Sequence, residues 1–168
     1  MSPSRIRSRG LSYIELIIVM AIIGLVGFIS YPGISTTLSS RSLDIAASDI
    51  LMSFQTAKWQ AASTKLAHRV LFVSTGGAWT YRVEKEATSG SWTVIRGGGP
   101  KSISTRFSVT LNLPAGRDVV FLATGFVSNY DSTKNSITLD SAKLRALGQA
   151  GRRIIRLFAG GSVKYEKA

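Results

Sequence analysis

Residues 9–34, RGLSYIELIIVMAIIGLVGFISYPGI, hold a single acidic side chain, Glu15, at the start of an otherwise apolar run. As a helix rising about 1.5 Å per residue, Leu11 to Ile34 reaches roughly 36 Å, enough for a hydrocarbon core of about 30 Å. A carboxylate in such a helix costs on the order of a few kcal/mol unless it meets a partner, so Glu15 is a candidate functional residue and its expected partner is another chain. Arg5, Arg7 and Arg9 precede the run. By the positive-inside rule they hold the N-terminus in the cytoplasm and send the chain beyond about residue 34 across the membrane, into the periplasm of a diderm cell. An ordinary cleaved secretory signal is opposed by the acid within the apolar stretch and by the passage through Phe28-Ile29-Ser30-Tyr31-Pro32 without a small-residue cleavage site.

Pro32 and Gly33 would normally end a helix, yet apolar periodicity resumes beyond them. Leu43, Ala47, Ile50, Phe54, Ala57 and Ala61 are spaced by fours and threes and fall on one helical face, while Arg41, Asp49 and Lys58 take other faces. The spacing predicts that the helix continues to about residue 65, with a kink at Pro32, and packs its second half on its own domain. After Ser63-Thr64-Lys65 the period changes to two. Arg69–Ser74, Trp79–Glu84, Trp92–Arg96, Phe107–Leu111, Val119–Leu122, Ser136–Leu139, Arg153–Phe158 and Ser162–Tyr165 read as strands, with Gly160-Gly161 as a two-residue hairpin turn. The expected fold class is α+β, a long N-terminal helix packed on antiparallel sheets. Its expected organisation is a leader over 1–10, a membrane and assembly helix over 11–34, an amphipathic continuation over 35–65 and a β-rich domain over 66–168.

Gly10, followed by Leu11-Ser12-Tyr13-Ile14-Glu15-Leu16 and the apolar helix, resembles the class III signal of type IV pilin-like proteins. That resemblance implies that a prepilin peptidase cuts between Gly10 and Leu11 and methylates the new amino group of Leu11. It also implies that Glu15 sits beside the N-terminal amine of a neighbouring subunit, so that two charges costly alone in a low-dielectric core neutralise each other. Where this family favours Phe and then Thr-Leu, the chain has Leu11, Ser12 and Tyr13.

The whole-chain pattern is similar to the GspH/FimT group of minor pilins and pseudopilins. It rests on Ala57 to Ser63 closing the helix, Asp118-Val119-Val120-Phe121 with Gly125, Ser136 to Leu139, and Arg153 to Leu157 before a glycine hairpin. The group implies a structural subunit of a type II secretion pseudopilus or of a type IV pilus, with the inner membrane and other pilin-like subunits as partners. Some of its members bind DNA for uptake through a Gly-Arg-x-Arg motif in the last hairpin, where this chain has Gly161-Ser162-Val163-Lys164.

The chain has 21 basic and 9 acidic side chains, a net +12; loss of the three arginines in the leader leaves 18 against 9, or +9. Such a surplus favours phosphate backbones or anionic lipid. Arg152, Arg153, Arg156 and Lys164 in the last quarter are the candidate DNA contacts, giving an alternative reading as a DNA-binding minor pilin. Cysteine is absent and His68 is the lone histidine, expected at a strand start or on the surface. No nucleophile triad or His/Cys metal site can be assembled from these residues, so neither an enzyme nor a cofactor is expected. The Gly97–Ser102 stretch puts Pro100 before Lys101, lacks phosphate-loop spacing and reads as a turn.

Overall fold

The computed structural model describes residues 12–88 and 90–168, with the side chains of 28–34 left aside. The leader and the Gly10–Leu11 pair lie outside the described residues. Two compact units divide the chain, the first ending at Leu38 and the second running from Ser39 to Ala168. One helix, α1 (Tyr13–Thr64), enters both.

In the first unit every described side chain from Ser12 to Gly27 is exposed, including Ile14, Leu16, Ile22 and Leu25. Among the described residues no helix is long and apolar enough to cross a membrane. The span expected over 11–34 includes residues whose side chains are not described.

The second unit is built on the predicted stripe. Leu43, Ala47, Ile50, Phe54, Ala57 and Ala61 are all completely buried, and fully burying each of the larger ones contributes about 1.5–3 kcal/mol. They face two antiparallel sheets. The first contains β1 (His68–Thr75), β2 (Ala78–Thr88), β3 (Ser91–Val94), β4 (Lys101–Ile103) and β6 (Asp118–Phe121), ordered β3-β2-β1-β6 with β4 also on β2. The second is β5 (Ser108–Asn112), β7 (Ser136–Asp140), β8 (Arg152–Leu157) and β9 (Val163–Lys167), in that order. A short helix, α2 (Ala142–Ala146), links β7 to β8. Phe54 joins the helix to the first sheet, with its ring centroid 6.2 Å from those of Phe72 and Phe121.

Three local expectations are corrected. Lys101–Ile103 is a strand, paired Trp79↔Ile103 through Tyr81↔Lys101, where the glycines before it suggested only a turn. His68 starts β1 as expected but is 1% exposed, with Nδ1 3.0 Å from the Leu66 carbonyl. The last hairpin has a three-residue loop: Phe158 donates to the Ser162 carbonyl at 3.0 Å, leaving Ala159, Gly160 and Gly161 outside the ladder. Gly161 takes φ +69°, the left-handed residue such loops require. A Cβ there would lie 2.3 Å from the Gly125 carbonyl oxygen, so close approach as well as backbone sign selects glycine.

Candidate functional site

Glu15 lies in the first turn of α1, exposed among exposed apolar neighbours. Among the described residues no cation comes within ion-pair distance of it. The side chains flanking it, Ile14 and Leu16, are 67% and 49% exposed. This half of the helix therefore presents an apolar surface and one carboxylate.

The helix is fixed to the second sheet by a charged pin. Arg153 is 0% exposed and its guanidinium meets the Asp44 carboxylate through Nε. Its Nη1 donates to the carbonyls of Ala150 and Arg152 at 2.7 and 3.1 Å, and Nη2 to the Ser40 hydroxyl at 3.2 Å. Tyr165 donates its hydroxyl to the same Asp44 oxygen at 2.6 Å, and Lys167 Nζ stands 3.8 Å from the other. Burial by itself would raise the Asp44 carboxyl; hydrogen bonds from Arg153 and Tyr165, with the charges of Arg153 and Lys167, outweigh it and hold the group below its ordinary value. Burial, and then donation to Asp44, push the Tyr165 phenol up.

This arrangement changes the meaning of the basic C-terminal residues. Arg153 shares alternation with Ile155 and Leu157 and points into the core, so it presents no charge to a ligand. Arg152, Arg156 and Lys164 are on the surface, but each has an acidic neighbour: Arg152 Nη2 is 3.4 Å from Asp140, and Arg156 Nε and Lys164 Nζ are 3.1 and 3.2 Å from Glu166. Arg145 adds a second contact to Asp140 at 2.8 Å. Hydrogen bonds from Arg156 and Lys164 hold the Glu166 carboxyl below its usual range. The grouping of Arg153 with surface phosphate contacts is thus corrected, and the other three residues, with Arg145, share two carboxylates, Asp140 and Glu166.

A second pin lies where the last hairpin meets the helix. Lys58 Nζ donates to the Gly160 carbonyl at 2.9 Å, and its methylenes pack against the positions of Gly125 and Gly161. Gly161 and its neighbours therefore serve packing between hairpin and helix. Elsewhere on the same helix Ile45, Met52 and Trp59, each seven residues apart, stand 62%, 61% and 70% exposed. Together they form an apolar row about 21 Å long with the spacing of one seam position in helix-on-helix packing.

Neither a protein-family model nor any curated protein sequence matches the chain. Solved structures do. The minor pseudopilin EpsH from the Type 2 Secretion System of Vibrio cholerae superposes with a TM-score of 0.56 at 10% identity, over 75% of this chain and 97% of that one. The fold is pilin-like. The type IV minor pilin FimU of Pseudomonas aeruginosa superposes with a TM-score of 0.50 at 15% identity, over 76% of this chain and 90% of its own. The pilin-like arrangement of helix and antiparallel sheets agrees with the fold expected from the sequence. Sequence reasoning had not singled out Asp44 or Tyr165, which make the pin. The parity of β8 was the available signal, since Arg153 alternates with two core residues.

Proposed function

We propose that this protein is a minor pilin or pseudopilin, a structural subunit of a type IV pilus or of a type II secretion pseudopilus. The carrying observation is the contrast along α1: 12–27 exposes every side chain, with Glu15 unpaired among the described residues, while the stripe Leu43, Ala47, Ile50, Phe54, Ala57 and Ala61 is buried within a pilin-like domain. In this reading a prepilin peptidase removes 1–10, Leu11 becomes the methylated N-terminus, and 11–34 holds the subunit in the inner membrane with the β-rich domain in the periplasm. On assembly the exposed apolar half packs among neighbouring subunits, and Glu15 pairs with a neighbour's terminal amine. The row Ile45, Met52 and Trp59 adds to that contact surface. No step of the role requires bond-making chemistry by the chain.

Intact-mass measurement of the protein from cells tests processing, with loss of residues 1–10 and one added methyl group expected. Gly10→Val should retain the leader. Glu15→Ala should be cleaved normally and yet be depleted from sheared filaments by tenfold or more. Wild-type incorporation of Glu15→Ala would refute the pairing, and an unprocessed wild-type chain would refute the pilin reading.

A further inference from the structure

Most of the chain's acids already face its own cations. Of the nine, Asp44, Glu84, Asp118, Asp140 and Glu166 each pair with an arginine within the second unit. Arg96 and Lys101 have no such neighbour: among the described residues no carboxylate lies within ion-pair distance of either. Both are exposed, and both line one cleft on the first sheet.

That cleft, about 70 Å³, lies between Ser53 and Thr56 of α1 and the Gly97-Gly98-Gly99 loop, with Arg96 before the loop and Lys101 after it. It is small beside the roughly 300–1,000 Å³ of a site that encloses a whole small-molecule ligand, so it takes a group the size of a side chain. The loop is fixed to the sheet. Val83 donates to the Gly98 carbonyl at 3.0 Å and Gly98 donates to the Ile95 carbonyl at 2.9 Å. A Cβ at Gly98 would lie 2.3 Å from Ile95 Cγ1, so glycine lets this backbone lie against the strand.

The inner wall is buried and polar, with Ser53 and Tyr81 only 4% and 3% exposed. Burial and then the charge of Asp49 push the Tyr81 phenol up to about 12, so it stays protonated and neutral. Arg82, a third cation on the wall, is already turned to Glu84 at 2.6 Å. Two unpaired cations beside neutral hydroxyls are surroundings that hold a carboxylate through charge-assisted hydrogen bonds.

The cleft also adjoins the apolar row on α1. Thr56 stands four residues after Met52 and three before Trp59, on the same helical face. Row and cleft thus form one surface, an apolar strip with a charged margin, which is the anatomy of a protein interface. A second copy of this chain is a poor match for it. With the leader removed each copy carries 18 basic against 9 acidic side chains, so like surfaces would meet.

We propose that this cleft is a socket for an aspartate or glutamate of an acidic neighbouring subunit, gripped between Arg96 and Lys101 while the apolar row packs beside it. The partner's identity as a subunit rests on the pilin reading; the chemistry of the socket does not.

The test is fluorescence anisotropy of a labelled, C-terminally amidated octaglutamate against the full chain in detergent micelles at low salt. Wild type should bind it saturably, and should bind octaglutamine at least tenfold more weakly. Arg96→Glu with Lys101→Glu should weaken octaglutamate binding at least tenfold. Arg106→Glu with Arg117→Glu makes the same change in net charge at exposed positions outside the cleft, and should weaken binding less than threefold. Circular dichroism of both double variants should match wild type. In cells the Arg96 and Lys101 double variant should lose residues 1–10 as wild type does, yet be depleted from sheared filaments at least fivefold. The proposal is overturned if wild type does not bind octaglutamate at low salt, if the two double variants lose binding equally, or if the processed socket variant enters filaments at the wild-type level. It is equally overturned if an eight-nucleotide oligo-dT binds more tightly than octaglutamate, or if wild type dimerises through the socket and the double variant does not. An unprocessed wild-type chain would sink the pilin reading instead, leaving octaglutamate binding to decide the socket.

Discussion

Removing the two halves of the Asp44–Arg153 pin should have unequal effects, Asp44→Ala costing more than Arg153→Met. Breaking a buried pair by deleting one partner typically costs about 3–5 kcal/mol, because the other charge is left uncompensated. The partner stranded by Asp44→Ala is a guanidinium with 0% exposure, whereas the carboxylate stranded by Arg153→Met is 38% exposed and keeps Tyr165 and Lys167. Arg153 retains its bonds to Ala150, Arg152 and Ser40, and water reaches the Asp44 side, so the expected loss for Asp44→Ala falls to about 2–3 kcal/mol. Methionine fills much of the volume vacated in Arg153→Met without a buried charge, for a loss of about 1 kcal/mol or less. The double variant should resemble Arg153→Met. The assay is urea and thermal unfolding of a Ser39–Ala168 fragment followed by tryptophan fluorescence, in which Asp44→Ala should lower Tm by about 10 °C. The Asp44 carboxyl is held below its usual value of 3.8, so the stability it contributes is complete above that pH and is lost as pH falls through the folded value. The gap between wild type and Asp44→Ala should accordingly close below about pH 4. Equal losses for the two single variants, or a double variant worse than Asp44→Ala, would refute the reasoning.

Phe54→Ala, which empties the space between Phe72 and Phe121, should cost about 3–5 kcal/mol by urea titration of the same fragment. Gly161→Val should destabilise by more than about 2 kcal/mol through the left-handed φ and the collision with Gly125, while Gly160→Ala, with open space around it, should change stability by under about 1 kcal/mol. Comparison of the two in one thermal scan separates packing of the hairpin on Lys58 from a general sensitivity of the loop.

The helical stripe was legible because six apolar residues repeat at helical spacing, and that period survives the proline before it. Strands of four or more residues were legible for the same reason at period two. Lys101–Ile103 was not, since three residues carry no readable alternation and the preceding glycines and proline signal a turn. The helix Ala142–Ala146 is also short, five residues without an apolar stripe. Arg153 was read by charge when its parity with Ile155 and Leu157 was the stronger signal; a buried guanidinium becomes acceptable only with the matching acid, and Asp44 lies more than a hundred residues away in the chain.

Because α1 enters the second unit at Ser39 as continuous helix, a pull applied there is delivered along the axis of its buried half. Phe54, the Asp44–Arg153 pair and the Lys58–Gly160 bond, set at different points along that half, then share the load. Shear across many simultaneous contacts resists force far better than sequential rupture does. The placement of one pin on the second sheet, an aromatic cluster on the first and a lysine at the last hairpin makes the helix a tension member, and the domain should stay folded under loads that would unzip a helix held at one end.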